Sequence, residues 1–120
     1  MSEKRDVGVY LEDILESIER IEKTTEKLSR EDFNRNIDKQ DAVVHRLEII
    51  GEAAKNVPIE FRYKYPKIPW REIARTRDKI THHYFEIDIE QIWNIIQNDL
   101  QPLKEQIKKL LTEVNHQNEP

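Results

Sequence analysis

The chain is 120 residues long, the size of one domain that buries roughly two-thirds of its unfolded surface without covalent staples. It has no cysteine and only two glycines, Gly8 and Gly51, which excludes disulfide frameworks, thiolate zinc sites, cysteine nucleophiles and the glycine-rich loops that cradle phosphates. Charged residues make up 37%, with 24 acidic against 20 basic for a net charge of -4, the composition of a soluble helical protein with no global attraction to nucleic acid.

Met1 to Asp6 is polar and leads into no apolar stretch of the kind a secretion signal needs. No run approaches the roughly 18 apolar residues of a membrane span. No membrane association and a cytoplasmic location are therefore expected. Val7, Tyr10, Leu11, Ile14, Ile18, Ile21 and Leu28 recur at helical spacings and predict a first helix from about Asp6 to Leu28. Ser29 to Asn36 reads as a polar connection with Phe33 as its one large apolar residue. Val43, Val44, Leu47, Ile50, Ala54 and Val57 form a second stripe, capped at its start by Asp38 or Asp41 and stopped by Pro58. Gly51 inside that stripe costs about 1 kcal/mol against alanine. The plainest reason to carry it is close approach of another helix beside Ala53 and Ala54.

Pro58 to Pro69 holds three prolines and two tyrosines, so a short turn of helix followed by an extended connection is expected. Pro69 suits the first turn of a third helix running from Trp70 to about His82. Asp88 and Gln91 make a plausible capping box for the fourth. Its stripe runs from Ile89 through Ile92, Trp93, Ile96, Leu100, Leu103 and Ile107 to Val114, with Pro102 predicting a kink and not a break. The fold class is all-α: an antiparallel four-helix bundle with a short extra helix before the third. Residues 1–114 form the single domain, and residues 115–120 are a frayed tail.

The acidic total hides an asymmetry. Lys55, Arg62, Lys64, Lys67, Arg71, Arg75, Arg77 and Lys79 face only Glu60, Glu72 and Asp78, so this window carries +5 while the rest carries -9. A polyanion that binds should bind there. Arg71, Arg75 and Lys79 are the RNA-contact candidates, and Tyr63, Tyr65 or Trp70 could stack on bases interchangeably.

At the end of the third helix, inside that window, stands Arg77-Asp78-Lys79-Ile80-Thr81-His82-His83-Tyr84. An arginine, a histidine and a tyrosine at a helix end suit cleavage of RNA by its own 2′-OH. That reaction needs a general base, a general acid and a cation for the charge developing on phosphorus. Arg77 supplies a fixed fork for two phosphate oxygens, which lysine does not reproduce. His82 can take or give the proton, and Asp78, one turn behind it, can fix its tautomer and raise its pKa. One imidazole cannot be base and acid at once. Either His83 is the second group or a twofold homodimer brings two copies of His82 to one cleft, and the dimer is preferred because neighbouring side chains diverge. No metal and no cofactor enter this scheme.

Blander readings stand beside it. Arg77 with Asp78 and Glu72 could be an ordinary solvated helix face, and the paired histidines could serve the helix dipole. His82, His83 and Glu86 as a metal site is the weaker alternative. Tyr84 could be a core aromatic like Phe85. Glu48 and Glu52, four apart, read as a solvated or interface face. Trp70 and Trp93 read as core or interface anchors.

Four segments together carry a likeness to a known family: Val9 to Leu15, Leu47 to Lys55, Ile68 to Ile73, and Arg77-Asp78 with His82-His83-Tyr84-Phe85. The chain resembles the HepT-like family of the HEPN superfamily, small helical ribonuclease toxins paired with a minimal nucleotidyltransferase (MntA-like) antitoxin in a type VII-like system. The resemblance implies a dimer with two R-x4-H-x-Y motifs at a shared cleft. Arg77 and His82 would be the metal-independent nuclease residues, Asp78 part of their site, and Tyr84 the acceptor of AMP from the antitoxin. AMP adds bulk and negative charge beside a cation meant for RNA phosphate. His83 stands where the family commonly has glycine. The competing expectation is a non-catalytic helical module that docks on a nucleotidyltransferase.

Overall fold

In a computed structural model of the chain, residues 6–82 and 88–117 are described, with side-chain surroundings for 6–77 and 88–115. All regular structure among them is helical: α1 (Val7–Thr25), α2 (Arg30–Arg35), α3 (Ile37–Asn56), α4 (Ile59–Lys64), α5 (Trp70–His82), α6 (Ile89–Asn94), and α7 (Leu100–Gln117), with a π-helical turn, Ile95–Asp99, joining the last two. The all-α bundle expected from the stripes is what the chain forms. No helix of the described residues is long and apolar enough to cross a membrane.

The stripe of α1 becomes the centre of the core, with Leu11, Ile14, Ile18 and Ile21 all fully buried. Each such side chain contributes roughly 1.5–3 kcal/mol by leaving water. α3 packs against both α1 and α5, and α7 packs against α1, so α3 is the helix the bundle is arranged around. Lys104 on α7 ties back to Glu22 on α1 at 2.8 Å.

Ser29 to Asn36 differs from expectation. It forms α2, because Ser29 and Asp32 make a reciprocal capping box at its start. Gln40 of α3 donates its side-chain amide to the Phe33 and Asn34 carbonyls at 2.8 and 3.1 Å, satisfying the far end. Phe33 is fully buried and its ring lies 5.4 Å from that of Trp93 on α6. α1 accordingly stops at Thr25, short of Leu28. The cap of α3 is Asn36, accepting from the Lys39 N–H at 3.0 Å, not Asp38 or Asp41. Of the expected Asp88–Gln91 box the structure shows the Asp88 half, its carboxylate accepting from the Glu90 and Gln91 N–H groups.

Around Pro102 the helix runs on, preceded by the π turn. Proline has no N–H for the carbonyl four residues back and its ring crowds that carbonyl. A wider turn, with the Leu100 N–H bonded to the Ile95 carbonyl, takes up the misfit just ahead of it. α7 extends to Gln117, past Val114 where the apolar stripe ends.

Candidate active site

α5 is uninterrupted by glycine or proline and keeps its α form through His82. Trp70, Ile73, Ala74 and Arg77 are spaced three, four and seven apart, on the face that packs against α3. Trp70 and Ile73 are buried. Arg77 falls on that same face, and its side chain is only 35% exposed. A guanidinium on a packed face needs a carboxylate, and Glu52 of α3 supplies it, with Nε to Oε2 at 2.8 Å.

The neighbour of Glu52 explains how Arg77 comes so close. A Cβ at Gly51 would lie 2.5 Å from the Arg77 Cβ, 3.1 Å from its backbone nitrogen and 3.2 Å from its Cα. The backbones of α3 and α5 therefore come this close at Arg77 only because residue 51 has no side chain. This is the close approach that a glycine between apolar positions implied, and it is made to the motif arginine itself. Glu52 is the residue that the sequence pattern missed. Of the two readings of the Glu48–Glu52 face, solvated or interface, Glu52 takes the second, as the partner of Arg77 across the α3–α5 contact. Arginine on an apolar stripe, opposite a glycine flanked by a carboxylate, was the available signal.

His82 is the last residue of α5. Its backbone stands about 140° around and roughly 7.5 Å along the axis from that of Arg77. The side chains of Asp78, Lys79 and His82, and all of His83, Tyr84, Phe85 and Glu86, lie outside the described residues, so the closure of the motif and the weaker metal reading do too. Arg71 and Arg75, one turn apart, are both exposed on α5.

Within the basic window, Arg62 is committed. Its Nε and Nη2 donate to the Val57 and Lys55 carbonyls at 2.9 and 2.6 Å, capping α3. The three stacking candidates separate as well. Tyr65 packs on Phe61 with ring centres 4.9 Å apart, and Trp70 is buried with its indole N–H on the Tyr65 carbonyl at 3.1 Å. Trp70 and Trp93 are thus core anchors, as expected. Only Tyr63 is open, at 80% exposure.

A cleft of about 490 Å³ opens between α3, α5 and the start of α7. Leu47, Ile50 and Leu103 contribute to its apolar lining, and Lys67, Glu72 and Asp99 are its charged residues. It reaches Thr76 but not Arg77. With two carboxylates to one ammonium, its charge disfavours a phosphate.

Residues 14–110 match the family model described as ribonuclease HepT-like. The chain is 48% identical over 107 residues, covering 89% of itself and 97% of the relative, to a protein of Thermococcus cleftensis named "Probable ribonuclease HepT". It is 46% identical over 112 residues to a Methanocaldococcus jannaschii protein named "Gamma-glutamylcyclotransferase and putative RNase". That match covers 93% of this chain and 50% of the relative, so the chain spans about half that protein's length. No solved structure matches it.

Proposed function

The chain belongs to the ribonuclease HepT-like family, and from that premise we propose that it is a metal-independent endoribonuclease acting as the toxin of a two-gene pair. The observation that carries this is the anchoring of Arg77. A guanidinium held by Glu52 and seated against Gly51 is a cation of fixed position, on the same helix as His82, five residues further on. In this scheme His82 of one subunit removes the proton of the 2′-OH, whose oxygen attacks phosphorus. The 5′-oxygen leaves with a proton from His82 of the second subunit, giving a 2′,3′-cyclic phosphate and a free 5′-OH. Arg77 stabilises the charge that develops on the phosphoryl oxygens, a contribution typically worth about 3–4 kcal/mol. Asp78 orients His82, and His83 is the fallback second proton carrier. Arg71, Arg75 and Lys79 hold flanking phosphates.

The homodimer is part of the proposal, since one imidazole cannot fill both proton-transfer roles. So is silencing by a minimal nucleotidyltransferase, which would transfer AMP to the Tyr84 oxygen. The docking module is the competing reading, and one observation favours it: Arg77 already has a carboxylate partner, as a purely structural arginine would.

Cleavage assays separate the two. Arg77→Ala and His82→Ala should each abolish RNA cleavage while circular dichroism stays helical, and EDTA should have no effect. RNA left intact by the wild-type protein, with growth arrest unrelieved by either substitution, would select the docking module. Incubation with the partner and ATP should add one adenylyl mass at Tyr84; no gain there removes that residue as acceptor.

A further inference from the structure

α4 is a six-residue helix with two unlike faces. At 100° per residue, Phe61 and Tyr65 fall on one side and Ile59 and Tyr63 on the other. The first pair is packed, Phe61 against Tyr65 and, at 6.5 Å edge-on, against Trp70. The second pair faces water, Ile59 at 59% and Tyr63 at 80% exposure. A single exposed apolar side chain needs no explanation, but the surroundings of this ring do. Lys55, Lys64, Lys67 and Arg71 are all exposed, and none makes an ion pair among the described residues. Arg62 adds a charge fixed at the base of the helix. From Lys55 to Arg71 these five cations meet only Glu60, a local charge of +4 in a chain of net charge -4.

An open aromatic ring in a segment of exposed cations is the pairing that single-stranded nucleic acid uses, bases on the ring and phosphates on the charges. A protein-docking face would differ, because lysine is depleted from protein interfaces. The position also fits the proposed site. Trp70, the first residue of α5, packs on Phe61 of α4, so α4 sits at the opposite end of α5 from His82. α5 spans about 18 Å from Trp70 to His82, with Arg71 and Arg75 exposed along it.

Resting on the ribonuclease proposal, we infer that Tyr63 stacks on an unpaired base of the RNA, several nucleotides from the cleaved bond, while Lys64 and Arg71 hold the phosphates beside it. It is a binding residue outside the R-x4-H-x-Y motif and makes no contact with the reacting atoms.

The test uses the full chain and a fluorescein-labelled oligoadenylate of about 12 nucleotides, 2′-O-methylated so that it binds without being cut. Tyr63→Ala should weaken binding on the order of tenfold, while Tyr63→Phe and Tyr63→Trp keep it. The salt dependence should be unchanged in Tyr63→Ala and shallower in Lys64→Ala, because only the lysine displaces counterions. Wild type that binds this probe and cleaves the unmethylated oligoadenylate, with Tyr63→Ala equal to it in both, overturns this inference and leaves the ribonuclease proposal standing. Wild type that neither binds nor cleaves RNA overturns both. Unchanged RNA binding with loss of self-association in Tyr63→Ala would make the ring a protein contact and also overturns it.

Discussion

Glu52 of α3 takes the Nε of Arg77 at 2.8 Å, and the residue beside it, Gly51, is what the Arg77 Cβ rests against. Two adjacent positions on one helix thus set the depth and the heading of a guanidinium on another. The backbone contact sets how far α5 approaches, and the carboxylate sets the direction of the fork. Both effects can be separated by substitution.

Gly51→Ala should destabilise the protein by about 1–3 kcal/mol, the usual cost of overpacking, despite alanine's better helix propensity of about 1 kcal/mol. The added methyl meets a Cβ and a backbone, not the end of a flexible side chain, so α5 must move. Thermal unfolding should show a lower midpoint and RNA cleavage should fall with it. An unchanged midpoint would mean that the two helices tolerate separation.

Glu52→Gln should behave differently. The ion pair is partly exposed, 35% on the arginine side and 49% on the glutamate side, so its stability contribution is at most about 1 kcal/mol. Loss of orientation should cost cleavage on the order of tenfold or more. In an Arg77→Ala background the same change should add nothing, since both act on one group. Full activity in Glu52→Gln would show that Arg77 is aimed by something else.

Ser17 on α1 is 1% exposed and its hydroxyl has no hydrogen-bond partner among the described residues. Ser17→Ala removes an unsatisfied polar group from the core and should stabilise by about 1 kcal/mol. Denaturant unfolding reads this directly, as a higher midpoint at unchanged slope.

The Lys104–Glu22 pair makes a pH prediction. The hydrogen bond to Glu22 is the main cause that raises the Lys104 pKa above 10.5, with burial opposing it and the charges of Glu22, Glu19 and Glu105 adding to it. A raised pKa in the folded state means the stabilisation is complete below the unfolded value and disappears as pH climbs through the folded one. The advantage of wild type over Lys104→Met in melting temperature should be steady across neutral pH and shrink above 10.5. An advantage that stays constant through strong alkali would assign Lys104 a packing role.

The stripes of α1, α3 and α7 are legible in the sequence because burying one face of a long helix imposes a period on many residues at once. α2 is not, because six residues show no period. Its evidence was the Ser29–Asp32 box and the single buried Phe33, and a polar composition hid both. The cap at Asn36 was obscured by two acidic residues nearby that serve equally well on paper. The site was half legible. Arg77 stands out by its spacing to His82, whereas Glu52 is paired across two helices and no periodicity reports that. Likewise Tyr63, Tyr65 and Trp70 look alike as aromatic residues in a basic segment. Only the way α4 leans on α5 decides which of them meets water.

A helix of six residues does not hold its shape alone; α4 keeps its form because Phe61 is already packed against both Tyr65 and Trp70. The outward ring of Tyr63 is therefore carried on a mount made rigid in advance by its own underside. Whatever lies down on that ring finds the backbone beneath it already immobile, so little of the encounter is consumed in stiffening the chain. Loosening the underside, by trimming Phe61, would blunt the upper surface without altering a single atom of it.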